Sequence, residues 1–320
     1  MADSITWRRF CRIPLDGSVP HPTTLMKLTT RCGSAAIDGL NEALLAKAAE
    51  AKLLRTNRIR ADTTVVPANA SYPTDSGLLA KAVRRIAATG KRIQAAGGAV
   101  RTRVRDRSRA AGRRAHAAKL RSRAELGRDE TRAAVLRFTG ELAELAEAAA
   151  QEAQHLLDNA KQVVRRAKAK AAALAARGER DAVAGRRRGR LVRAVNDLTE
   201  LLNATRQIVA QTRQRVAGIT PDGASRRVSL HDGDARPITK GRLGKPVEFG
   251  QKAQVVDNDD GIVLDHTVQQ GNPPDAPQLA PAVARVKKRA GRTPRTVTAD
   301  RGYGEAAVDQ QLTEVASRMW

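Results

Sequence analysis

Between Tyr72 and Arg227 the sequence is almost free of strand signals and very rich in Ala, Arg and Glu. Any fold for this chain must therefore carry a long helical body between two segments of different texture. From Leu142 the apolar positions Leu142, Ala149, Leu156 and Val163 recur every seven residues, with Leu145 in the companion slot. After a Gly- and Arg-rich break from Gly178 to Gly189, a second run places Leu191, Val195, Leu198, Leu202, Thr205, Val209, Thr212 and Val216 at alternating spacings of four and three. Two such runs around a Gly break predict a coiled-coil-like antiparallel helical hairpin. Pro-Asp-Gly at 221 to 223 turns the chain out of it.

Charge narrows the function classes. Lys and Arg total 58 against 33 Asp and Glu, a net +25 over 320 residues. A charge of that size gathers polyanions and opposes self-association, which disfavours a plain metabolic enzyme and makes nucleic acid or an acidic membrane surface the default partner. Only seven aromatic residues are present, so base-stacking single-strand binding is disfavoured. Within the helical region, residues 101–130 hold eleven Lys/Arg against four acids and 161–190 eleven against two, while 141–160 hold five acids and no Lys or Arg. The basic blocks read either as stripes that track phosphates or as solvated faces of long helices. Cys11 and Cys32 form no CxxC pair, no apolar run reaches membrane-spanning length and no signal-peptide pattern opens the chain, so the expectation is a cytoplasmic protein with no membrane partner.

The flanking segments are mixed. Residues 1–55 read as short helices, one carrying Trp7 and Phe10, one starting at Thr23 or Thr24 after Pro20 and Pro22, and one from Ser34 to Leu54. Arg58 to Val66 is a β-branched run with a period near two, which predicts a strand with Asp62 as its only acid. Beyond Val228, Val247 to Val256 and Ile262 to Val268 predict a hairpin around the turn Asn258 to Gly261. A helix is expected from Asp275 to about Ala290, a strand over Arg295 to Ala299 that delivers Asp300 at its end, and a last helix from Glu305 to Arg318. With the helical stretch removed, the order is β-β-β-α-β-α.

Several segments resemble the DDE transposases of bacterial insertion sequences. RADTTVVPANASYPTDSGLLAKAV around Asp62 is similar to the first-acid motif of that family, and VTADRGYG around Asp300 to the second. The stretch from DGDARPITKGRLGKP to GNPPDAPQL resembles the hairpin and helix that join them, and WRRFCRIPLDGSVPHPTTLMKL the small helical domain that precedes them. The resemblance implies an α/β, ribonuclease-H-like mixed sheet, interrupted by an all-α insertion and preceded by a small helical domain. It divides the chain into 1–55 (DNA-binding type), 56–75 (first catalytic strand), 76–224 (basic insertion) and 225–320 (remainder of the core).

It also implies a site. Asp62 and Asp300 would be the catalytic and metal-binding acids, holding Mg²⁺ or Mn²⁺ in a two-metal centre for cleavage and joining of double-stranded DNA. Lys240, Arg242, Lys245 and Arg301 would serve DNA phosphates, and the helical hairpin offers a surface for self-association. His231 and His266 are isolated and assigned to no metal, and Tyr303 is open between packing and DNA contact. The third acid of the family, a Glu on a later helix, has no counterpart, since Glu305, Asp309 and Glu314 follow Asp300 too closely. The expectation is thus a C-terminally truncated transposase, with an inactive form that binds DNA or a full-length partner as the alternative, and a nucleoid-type protein using only the basic helices as a weaker third.

Overall fold

The computed structural model describes residues 4–68, 74–122, 127–179, 181–239, 247–304 and 306–317. It is a mixed α/β protein, 61% helical, with an open mixed sheet of five strands. The strands are β1 (Arg58–Pro67), β2 (Arg236–Thr239), β3 (Val247–Asn258), β4 (Val263–Gln270) and β5 (Thr296–Ala299). Their order is β2-β3-β1-β5, with β4 also paired to β3. β2 lies antiparallel on the start of β3, Arg236 opposite Gly250 and Thr239 opposite Val247, whereas β5 lies parallel to β1. Ala68 N–H donates to the Phe249 carbonyl at 2.9 Å. At Gly250 the backbones approach so closely that a Cβ would stand 2.0 Å from the Val66 carbonyl oxygen, which accounts for a glycine inside a strand.

The chain divides into two compact units: 1–62 with 255–266 and 275–320, and 63–254 with 267–274. The second contains four helices, α4 (Asp75–Ala95), α5 (Ser108–Arg121), α6 (Arg128–Ala176) and α7 (Ala182–Val216). Thr74 caps α4 by accepting from Gly77 N–H, and Asp181 caps α7 by accepting from Ala184 N–H. Asp129 and Glu130 sit in the first turn of α6, where the helix dipole favours them. At 49 residues α6 is about 74 Å long at 1.5 Å per residue.

α6 and α7 form the helical hairpin that the heptads predict, and the heptad positions Leu142, Leu156, Leu191, Leu198 and Leu202 are buried. Alanines at 143, 146, 149, 150, 153 and 160 line the same face of α6 and let its neighbours approach closely. The fully buried core ends at Ala160 on α6, with Val163 and Val164 packed against it, and starts again at Leu191 on α7, so the distal turn of the hairpin lies beyond it. The acidic block at 141–160 has a structural use: Glu141 pairs with Arg114 of α5, Glu152 with Arg107 just before α5, and Glu147 with Arg213 of α7. Part of the first basic stripe is therefore spent holding helices together.

The other unit carries α1 (Ile5–Phe10), α2 (Pro22–Cys32), α3 (Ser34–Glu50), α8 (Ala276–Ala290) and α9 (Ala306–Ser317). Its core joins Ile59 and Ala61 of β1, Val256 of β3 and Leu264 of β4 to Leu279, Val283 and Val286 of α8, with Tyr303 and Val308. Gly291 ends α8 in the left-handed conformation that glycine allows. Asp265, 1% exposed, is held by Arg285 at 2.8 Å and Arg289 at 2.6 Å. In α1 to α3 only Leu45 is buried. No helix among the described residues is long and apolar enough to cross a membrane.

Candidate catalytic site on β1 and after β5

The pattern of β1 separates two faces. Ile59 and Ala61 enter the core, while Arg58, Arg60 and Asp62 are exposed on the opposite face. β5 runs alongside in parallel register, Arg58 beside Thr296, Ile59 beside Val297, Arg60 beside Thr298 and Ala61 beside Ala299. The next residues in that register are Asp62 and Asp300. Strands hydrogen-bonded in this way lie about 4.8 Å apart, and laterally matched residues of a parallel pair share a face. Asp62 is the fifth residue of the ten-residue β1 and Asp300 directly follows the end of β5, and both are exposed.

A short 3-10 turn, Arg301–Tyr303, follows Asp300 directly. The Asp300 carboxylate accepts from Gly302 N–H at 2.9 Å and its carbonyl accepts from Tyr303 N–H at 3.2 Å. A Cβ on Gly302 would stand 3.1 Å from Oδ1 of Asp300 and 3.5 Å from Oδ2 of Asp275. Asp275 thus shares the neighbourhood of Asp300, a placement that sequence reasoning missed. It precedes α8 where a capping residue would stand, yet makes no side-chain capping bond, and sequence gives no sign of that. Among the described residues no group of three His, Cys, Asp or Glu is arranged to hold a metal ion.

Arg60, on the same face as Asp62, makes a two-pronged pair with Asp257, Nε to Oδ1 at 3.1 Å and Nη2 to Oδ2 at 2.5 Å. The hydrogen bond to Asp257 and then its charge hold the Arg60 guanidinium above its ordinary pKa, against a small cost of desolvation, and Asp62 adds to the effect. Arg58, Arg60, Thr296 and Thr298 line a groove of about 430 Å³ whose far wall is the turn from Asn258 to Gly261. Asn258 builds that turn by accepting from the N–H groups of Asp260 and Ile262 and donating to the Arg55 carbonyl. The groove is polar, and both of its arginines lie on the face that carries Asp62.

The remaining expected residues fall as follows. Lys240, Arg242, Lys245 and Glu305 lie outside the described residues. The Arg301 backbone opens the turn after Asp300. Tyr303, 3% exposed, packs in the core, which settles it as a packing residue. Glu314 and Asp309 are exposed on α9, His266 is exposed on β4, and His231 stands 3.4 Å from Arg85. Comparison with protein-family models, with curated proteins and with solved structures finds no match to this chain.

Proposed function

We propose that this chain is a DNA strand-transfer protein of the DDE transposase type, built on a ribonuclease-H-like sheet, with Asp62 and Asp300 as its metal-binding acids. The observation that supports the reading is the register of β1 on β5, which sets Ala61 beside Ala299, the residues immediately before the two acids. The donor set suits Mg²⁺ or Mn²⁺, because these hard cations accept one or two carboxylates and fill their remaining positions with water and phosphate oxygens. A divalent cation there supplies charge that favours ionisation of the attacking hydroxyl and offsets the negative charge on the departing oxygen.

The chain's own residues do the rest. Arg58 and Arg60 hold phosphates of the strand lying over the β1/β5 face, fixing the scissile phosphodiester against the acids. The turn after Asp300, kept open by Gly302, leaves both carboxylates accessible from that side. The net charge of +25 brings DNA to the protein from solution.

The test has two readouts. In Mn²⁺ titrations followed by electron paramagnetic resonance, the wild-type chain binds the ion, and Asp62→Asn and Asp300→Asn each weaken binding at least tenfold. In the presence of Mg²⁺ or Mn²⁺ the wild type nicks duplex DNA carrying the ends of its own element, and either Asn variant abolishes the nicking. Nicking that survives both substitutions sinks the assignment of the acids. DNA binding with neither nicking nor Mn²⁺ uptake sinks the catalytic reading.

A further inference from the structure

The helical unit holds a cavity of about 1490 Å³ that no part of the reading above uses. Its walls come from the start of α4, the end of α5, the start of α6, the end of α7 and the segment that follows α7. Lys81, Arg84, Lys119 and Arg132 project into this wall, and none of the four forms an ion pair among the described residues. The one acid among the described lining residues is Asp75, whose buried carboxylate is already neutralised by Arg215 at 3.0 Å and bonded by Gln211 at 2.9 Å. Among the described residues the cavity lining therefore carries uncompensated positive charge.

Its inner surface carries a second, independent sign of a ligand. Thr212 is 1% exposed, lines the cavity and leaves its hydroxyl without a hydrogen-bond partner among the described residues. Elsewhere on the same helix Thr199 and Thr205 return their hydroxyls to the carbonyls of Val195 and Leu201, the default for a helical threonine. Thr212 forgoes that bond. Arg226, also in the lining, has a buried Nε–H with no partner among the described residues. A buried hydroxyl and a buried guanidinium donor left unmatched each cost on the order of 1–3 kcal/mol unless something accepts from them.

We propose that this cavity is a DNA-backbone site in which Thr212 and Arg226 donate to a phosphate oxygen and the four cations bind the phosphates flanking it. Small-molecule pockets run to roughly 300–1,000 Å³, and this cavity is larger and open to solvent, which suits a segment of polymer. Among the described residues no Phe, Tyr or Trp lines it, which favours reading of the backbone over stacking of bases. The choice of DNA rests on the reading under Proposed function. The anion chemistry stands on the cavity alone.

The test measures binding of a fluorescent DNA duplex of arbitrary sequence to the full chain by anisotropy, in EDTA, across a sodium chloride series. The triple variant Arg84→Ser/Lys119→Ser/Arg132→Ser lowers affinity at least tenfold and reduces the salt slope by about 3, one per lost phosphate contact. A control triple, Arg165→Ser/Arg166→Ser/Lys168→Ser on the exposed part of α6, removes the same charge and changes both much less. Thr212→Val weakens binding several-fold while leaving the unfolding midpoint unchanged or raised, which loss of a structural contact would not do.

Equal losses in the two triples, or an unchanged slope in the first, overturn the proposal. Tripolyphosphate binding that needs the same residues but is not displaced by duplex overturns the choice of DNA. Asp62→Asn and Asp300→Asn retain binding in EDTA, so failure of nicking and failure of this site are read separately.

Discussion

Replacing Glu152 by Gln tests how α5 is fastened to α6. Glu152 accepts from Arg107 at 2.6 and 2.8 Å and from the Arg105 amide at 2.9 Å. The Arg107 hydrogen bond, then the Arg105 amide and the charge of the two arginines, outweigh desolvation and hold the Glu152 carboxyl down at about 2 from an ordinary 4.5. A depression of that size is worth up to about 3 kcal/mol in the ionised state, reduced to about 2 kcal/mol because the pair is partly solvated. The sign follows from the direction: the folded pKa is lowered, so the stabilisation is complete above pH 4.5, shrinks as pH falls, and is lost below 2. Urea unfolding followed by circular dichroism should show Glu152→Gln less stable than wild type by about 2 kcal/mol at pH 7, with roughly half that gap left at pH 3. Asp106, also held at about 2 by its bonds to Ser108 and Lys91, titrates in the same window in both proteins and cancels in the difference. A gap that is the same at pH 7 and pH 3 would refute the assignment of the effect to this ionisation.

Two further outcomes are expected. Leu198→Ala, at a fully buried heptad position of α7, should cost about 2–5 kcal/mol in urea unfolding, and a cost under 1 kcal/mol would show that the α6/α7 seam is not packed as described. Gly302→Val should leave the circular dichroism spectrum intact but sharply reduce Mn²⁺ uptake and nicking, since its side chain would crowd Asp300 and Asp275; undiminished uptake would place the ion elsewhere.

The parts of the fold written in strong periodicities were legible. The heptads of α6 and α7 and the alternation of β1, β3 and β4 depend on burial along one face, and the residues record it directly. Asp62 and Asp300 could be named from the motifs around them, Asp62 as the only acid of its strand and Asp300 at the end of a short one, and the β1/β5 register then sets Ala61 and Ala299, the residues just before them, side by side. β2 was not legible, because Arg236–Thr239 is four residues long, contains a proline and takes its conformation from pairing with β3 rather than from its own preference. Asp275 was missed for a similar reason: its placement near Asp300 is created by where α8 begins, not by anything within its own segment. The acidic stretch of α6 read as a break between phosphate-binding stripes, whereas three of its five acids pair with Arg107, Arg114 and Arg213. Charge blocks in a sequence do not say which neighbours will meet them.

The position of the helical bundle within the chain has a consequence for how the protein is made. Arg60 and Asp257, partners across β1 and β3, are separated by 197 positions in sequence, and the four long helices lie between them. β1 leaves the ribosome early and waits without its neighbours until the bundle has been synthesised. Contacts between consecutive helices of the bundle, such as α5 with α6, span fewer positions, so forming the bundle first would turn a long loop closure into a shorter one. During that interval β1 presents two open edges, and exposed strand edges are where nascent chains associate wrongly. The charges that flank its core residues, Arg58, Arg60 and Asp62, are therefore also the groups that keep it soluble while it waits.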